Sequence, residues 1–257
     1  MSLLEICVED AAGIRAAVEG GADRIELCTA LDLGGLTPSI GLAEISARAG
    51  VPARAIIRPR AGGFSFSADD EKAMHRDITC LLACGIEGVV LGASRSDGSL
   101  DVRLLGRLIE TARTSGARGL TLHRAFDLTP DMDAAVAEAA SLGFDCILTS
   151  GGELTAPAAV AVLARLRRLA PASLYIMAGS GITPANVASL VAETGVTAVH
   201  ASARSDPEPA DPTLVRFGFS ATQRHVTDRA IVAALRRALD VNSTDSINTK
   251  GSHDHRS

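Results

Sequence analysis

Two acids, a set of arginines and two histidines stand at or near the ends of short apolar runs, and these are the residue types that bind anions and move protons. The plainest case is Gly119-Leu120-Thr121-Leu122-His123-Arg124-Ala125-Phe126-Asp127, an apolar segment that ends abruptly in His, Arg and Asp. Glu5, Glu26 and His123 are candidates for exchanging protons, with Asp127 placed to orient His123 or Arg124. Arg58 and Arg60, either side of Pro59, are candidates for gripping an anion, because planar guanidinium forks bind carboxylate or phosphate bidentately. The run Met177-Ala178-Gly179-Ser180-Gly181-Ile182-Thr183-Pro184 passes through Gly-Ser-Gly into a helix start, where free backbone N–H groups can cradle an anion. Cys7 and Cys28 are candidates for a pair of thiolate ligands of the soft kind that Cu(I) prefers, although no CxxC spacing accompanies them and thiols more often simply pack.

These groups need elements to position them. Strand-length apolar runs recur at 3–8, 24–28, 54–57, 88–91, 120–123, 146–149, 174–177 and 198–201, and segments between them place an apolar stripe on one helical face, as Val102, Leu105, Ile109 and Ala112 do. Alternation of this kind predicts a single α/β domain, a closed (β/α)8 TIM-type barrel over 1–241. The barrel exterior must be apolar to meet helices, so the polar parity of each strand faces inward. That parity holds Glu5 and Cys7, then Arg24, Glu26 and Cys28, then Arg58 and Arg60, then Thr121 and His123, then His200 and Ser202. Buried charges need partners, and Arg58 is the expected partner of Glu5 and Glu26. Thr37-Pro38, Thr129-Pro130 and Thr183-Pro184 read as helix starts with Thr as N-cap and Pro at the first helical position.

The chain has 257 residues, is 47% hydrophobic and carries a net charge of −5, with no Trp and one Tyr. Nucleic-acid binding wants basic stripes and stacking aromatics, so it is not expected. No apolar run approaches the roughly 20 residues that span a bilayer, and no basic leader opens the chain. Five scattered cysteines read as reduced thiols, in keeping with a cytoplasmic location. A long loop is expected at 205–220, then a last helix over about 226–239. The segment 242–257 reads as a polar, disordered tail in which His253 and His255 are solvated.

As a set, Leu4-Glu5-Ile6-Cys7, Arg24-Ile25-Glu26-Leu27-Cys28, Gly34-Gly35-Leu36-Thr37-Pro38-Ser39, Ile56-Ile57-Arg58-Pro59-Arg60, His123-Arg124-Ala125-Phe126-Asp127, Leu148-Thr149-Ser150-Gly151, Met177-Ala178-Gly179 and Val199-His200-Ala201-Ser202 resemble the CutC family of copper homeostasis proteins. The resemblance runs from about residue 3 to 204. It implies a TIM-type barrel, a cytoplasmic location, self-association as a homodimer, and a link to copper, with Cu(I) held by cysteine in some members. Val8 stands where some relatives have a further Cys, and Ala61 replaces a Gly after Arg60. Two functional readings follow. One is a copper-handling protein with Cys7 and Cys28 as ligands. The other is an enzyme of isomerase, lyase or hydrolase type acting on a small anionic, sugar-like or phosphorylated metabolite. In that enzyme the acid–base set is Glu5, Glu26, His123 and Asp127. The substrate contacts are Arg58, Arg60, Arg124 and Ser150, together with Gly179, Ser180, Gly181, His200 and Ser202. A barrel without catalysis, used as a binding scaffold, is a third.

Overall fold

Alternate side chains of a strand face opposite sides, and in this chain the two sides are chemically distinct. The computed structural model describes residues 2–205 and 208–248. Its strands are β1 (Leu3–Val8), β2 (Arg24–Leu27), β3 (Ala53–Ile56), β4 (Gly88–Leu91), β5 (Gly119–Leu122), β6 (Cys146–Thr149), β7 (Tyr175–Gly179) and β8 (Ala198–Ala201). They pair in parallel and in chain order into a closed barrel, β8 returning to β1. The outward parity is aliphatic: Leu4, Ile6 and Val8 of β1, Ile25 and Leu27 of β2, and Leu120 and Leu122 of β5 are buried against the helices in one continuous core. The inward parity is mostly polar in β1 and β2 and turns apolar at Ile56, Leu148 and Met177.

The helices that cover the barrel are α1 (Ala11–Gly20), α2 (Ile40–Ala47), α3 (Ala68–Ala83), α4 (Val102–Thr114), α5 (Met132–Leu142), α6 (Val160–Leu169) and α7 (Val187–Thr194). Their starts correct the sequence reading. Each Thr-Pro pair lies just upstream of its helix; the side-chain caps are Ser39 for α2 and Asp131 for α5, while α7 starts after Asn186 without a side-chain cap. The Thr129 hydroxyl donates to the Phe126 carbonyl, closing a short 3-10 turn, and so caps nothing. Asp131 does the capping, its carboxylate accepting from the N–H groups of Asp133 and Ala134.

After β8 the chain leaves the barrel. The expected long loop contains a small antiparallel pair, β9 (Glu208–Pro209) with β10 (Gln223–Arg224), and a short helix, α8 (Pro212–Arg216). The last helix, α9 (Arg229–Asn248), starts later and runs further than the sequence suggested, through part of the segment read as a tail. Val232, Leu235 and Leu239 form its buried stripe. Residues 249–257, with His253 and His255, lie outside the described residues. No described helix is long and apolar enough to cross a membrane.

Candidate functional site

The register between strands decides which inward groups meet. Glu5 on β1 lies level with Arg24 on β2 and His200 on β8, and Cys7 lies level with Glu26. Arg24 Nε therefore donates to Glu5 Oε2 at 2.5 Å, while His200 Nδ1 is 2.7 Å from Glu5 Oε1. Arg24 continues across the barrel interior to the Tyr175 hydroxyl of β7 at 2.7 Å. Burial works against the Glu5 charge, but Arg24 and His200 outweigh it and hold the carboxyl at about 2. Burial likewise opposes a charged His200, and Cys7, Glu26 and Glu5 overcome it, so the imidazole is pushed well above its ordinary range. Glu5, Arg24 and His200 form one buried, charge-compensated unit.

Glu26 differs. It is buried, and its Oε2 has no hydrogen-bond partner. Burial and the nearby Glu5 charge push its carboxyl up to about 7, against the pull of His200 and Arg24. A carboxyl at that value is half-ionised near neutral pH, the condition in which one group both takes and returns a proton efficiently.

Both features open on a cavity of about 330 Å³ at the C-terminal end of the strands. Cys7, Glu26, Arg58, His123, Arg124 and His200 line it from the strands and the turns after them. Ser180, Gly181, Ile182, Ser202 and Arg204 line it from the β7 and β8 loops. Ser180 holds a left-handed φ of 78°, kept there by its hydroxyl donating to Leu154 O and by Ala156 N–H donating to its carbonyl. The N–H groups of Gly181 and Ile182 donate to no acceptor among the described residues.

Four expectations need correction. Arg58 pairs with neither glutamate: its guanidinium donates to the carbonyls of Leu33, Gly35 and Gly62, tying the β2 and β3 loops together while its charge faces the cavity. Arg24, already inside the barrel on the neighbouring strand, takes the place next to Glu5. Arg60 points away, half-exposed, paired with Asp70 and stacked over Phe66, because the chain turns outward after Pro59. Asp127 orients Arg124, one of its two expected partners, and does not touch His123, so its place in the acid–base set is what needs correction. It accepts from Arg124 Nε at 2.8 Å, from Thr149 Oγ1 and from the backbone N–H of Ser150 and Gly152, so it buttresses Arg124 and the β6 loop. Ser150 belongs to the same buttress, its hydroxyl accepting from Arg124 Nη2 at 2.7 Å, and Gly179 packs beneath, where a Cβ would lie 2.5 Å from Leu148.

Cys28 is the fourth. Its thiol is fully buried beneath the cavity among Ile56, Val90 and Leu31, and donates to Val8 O at 3.3 Å. Burial, with Cys7 and Glu26 nearby, pushes that thiol far up, the opposite of what a thiolate ligand requires. A hard or borderline cation finds a better donor set elsewhere: oxygens of Glu5 and Glu26 and a ring nitrogen of His200 lie within 4.8 Å of one another. Arg24 and His200 already compensate that charge.

Several contributors escaped the sequence reading. Arg54 sits inward at the base of β3, bonded to Thr121 Oγ1 and Asp145. Arg204 lines the cavity and pairs with Asp32. Gly92 follows β4 directly beside His123, and a Cβ there would come within 2.2 Å of the imidazole. A glycine one step past β4, beside the neighbouring strand whose end carries His123, was the available signal. Gly92→Ala is expected to displace His123 and to destabilise by about 1–3 kcal/mol, the usual cost of overpacking. A urea-denaturation midpoint equal to wild type would show that the ring yields without cost.

A closed parallel barrel whose C-terminal mouth gathers buried acids, imidazoles and guanidiniums around one cavity defines this molecule as a TIM-type barrel protein. Within that class the chain belongs to the CutC family, whose model matches residues 2–205. It is 50% identical to the CutC family protein of Sinorhizobium medicae (strain WSM419) over 93% of this chain and 96% of that one. Against the CutC family protein of Rhizobium meliloti (strain 1021) it is 51% identical, over 92% and 96% of the two chains. The crystal structure of CutC from Streptococcus agalactiae superposes with a TM-score of 0.74 at 28% identity, covering 79% of this chain and 99% of that one.

Proposed function

We propose that this chain is a cytoplasmic enzyme that binds a small anionic metabolite in the barrel mouth and moves a proton through Glu26. The observation that carries the reading is the contrast between two neighbouring glutamates: Glu5 is fully paired, while Glu26 keeps an unpartnered buried oxygen at the wall of the cavity. Leaving a buried polar atom unpaired costs about 1–3 kcal/mol, a cost that a bound ligand relieves. Arg58, Arg124 and Arg204 with the Gly181 and Ile182 N–H groups supply the positive surroundings for the anion. His200, held by Glu5, supplies a fixed cation beside Glu26. Five free cysteines support the reducing compartment.

The name of the Streptococcus agalactiae relative, copper homeostasis protein, points to the second reading. In its favour Cys7 lines the cavity with Cys28 near it. Cys28 does not suit a Cu(I) thiolate site, for the reasons of burial and hydrogen bonding given above. One preparation separates the two: protein purified reduced and undialysed, analysed for metal and, by mass spectrometry, for released small molecules. A bound anionic metabolite without stoichiometric copper is the expected result. Stoichiometric copper that disappears in a Cys7→Ser/Cys28→Ser variant would overturn the enzyme reading.

A further inference from the structure

Building on the acid–base reading above, we propose that the reaction is enolisation of a small phosphorylated α-hydroxycarbonyl compound, with His123 as an N–H electrophile opposite Glu26 as base. Two orphaned polar atoms in one cavity carry this: Glu26 Oε2, from β2, and His123 Nε2, from the end of β5, both buried and both without a partner. The proton on His123 can be placed. The Ala125 N–H donates to Nδ1 at 3.1 Å, so Nδ1 is unprotonated and the imidazole hydrogen sits on Nε2. Burial and the adjacent Arg58 guanidinium hold the ring neutral, with its pKa lowered to about 3. Phe64 packs on the imidazole with ring centroids 4.8 Å apart, and the Arg58 guanidinium lies over the Phe64 ring, 5.0 Å from its centroid.

His123 therefore offers a fixed donor and cannot act as the base. Glu26 offers the complementary acceptor. A ligand satisfying both presents an oxygen to Nε2–H and a removable proton to the carboxylate, which is the pairing found at a carbon next to a carbonyl. In the step, the Glu26 carboxylate takes the proton from that carbon. The C–H electron pair becomes the C=C bond of an enediolate, and the carbonyl π pair moves onto oxygen, where His123 Nε2–H and the Arg58 charge stabilise it. The hydroxyl proton crosses to the former carbonyl oxygen, and Glu26 returns its proton to the neighbouring carbon. The isomerisation is redox-neutral and needs no co-reactant. A phosphate tail would seat at the unpartnered N–H groups of Gly181 and Ile182, on the loop after β7.

The test uses dihydroxyacetone phosphate and D-ribulose 5-phosphate as probes in D2O, followed by proton NMR, and phosphoglycolohydroxamate as a planar enediolate mimic, followed by calorimetry. Deuterium is expected to enter the carbon beside the carbonyl of at least one probe, and to stop entering with Glu26→Gln. The hydroxamate is expected to bind about 100-fold more tightly than glycerol 3-phosphate, the lower end for intermediate mimics, with the ratio falling toward one in His123→Ala. Should that variant not fold, 15N shifts of wild-type histidines at pH 5.5 give the second measurement: His123 must read as the neutral Nε2–H form, and an imidazolium overturns the assignment. No deuterium in either probe, together with a ratio near one, overturns the enolisation. A co-purified anionic metabolite would in that case still leave the broader acid–base reading standing.

Discussion

Arg24→Ala is expected to cost about 3–5 kcal/mol of unfolding free energy at pH 7, the loss typical when one partner of a buried ion pair is removed. Glu5 is fully buried, and the variant would leave its carboxylate with His200 alone while also stripping the Tyr175 hydroxyl of its donor. Replacing Glu5 and Arg24 together by Leu and Met should cost much less, because desolvation of both charges is then avoided. Urea denaturation of the single and double variants checks this, and equal losses would mean that the pair acts through packing. The pH dependence has a definite sign. The Glu5 carboxyl is held at about 2 against an ordinary 4.5, so its contribution is fully present above 4.5 and is lost as pH falls toward 2.

Glu26→Gln is expected to abolish proton transfer, lowering turnover by about 10²–10⁴-fold, while making the fold more stable at pH 8. The wild-type carboxyl is raised from 4.5 to about 7, so the folded state holds its proton more tightly than the unfolded chain does. The stability associated with that proton is fully present below 4.5 and is lost as pH rises through 7. A shift of this size corresponds to about 3 kcal/mol. Denaturation at pH 5.5 and pH 8 should show wild type weakening more between the two than Glu26→Gln does, because in the variant only the raised His200 proton still adds to the loss. A wild-type curve that is flat over this range would remove the argument for Glu26 as the poised group. The gain in stability on losing function is the signature of a buried carboxylate kept without a hydrogen-bond partner until a ligand arrives.

Some of this was legible from residue order alone. Strand-length aliphatic runs separated by helical stripes leave few ways to bury both kinds of apolar face, and a barrel is the arrangement that buries them all. Period two then sends Glu5, Cys7, Glu26, His123, His200 and Ser202 inward, because their strand neighbours are aliphatic and must meet helices. The eight-motif resemblance to the CutC family stands on the same local information. Helix starts were misread where a Thr-Pro pair preceded the true cap by a few residues, as Asp131 shows, since several oxygens near a helix start compete and only the turn geometry selects one.

The pairing inside the barrel was decided by tertiary structure. Whether Glu5 meets Arg24 or Arg58 depends on the stagger between β1 and β2, a property of hydrogen bonding between strands that no single segment encodes. The turn after Pro59 carries Arg60 out to Asp70, and the β5–β6 junction gives Asp127 to Arg124 in place of His123. Residue order thus determined the fold and, within the strands, which parity faces the barrel interior. Only the closed structure decided which of those side chains are satisfied and which are left waiting, because satisfaction of a buried charge depends on what lies across the barrel from it.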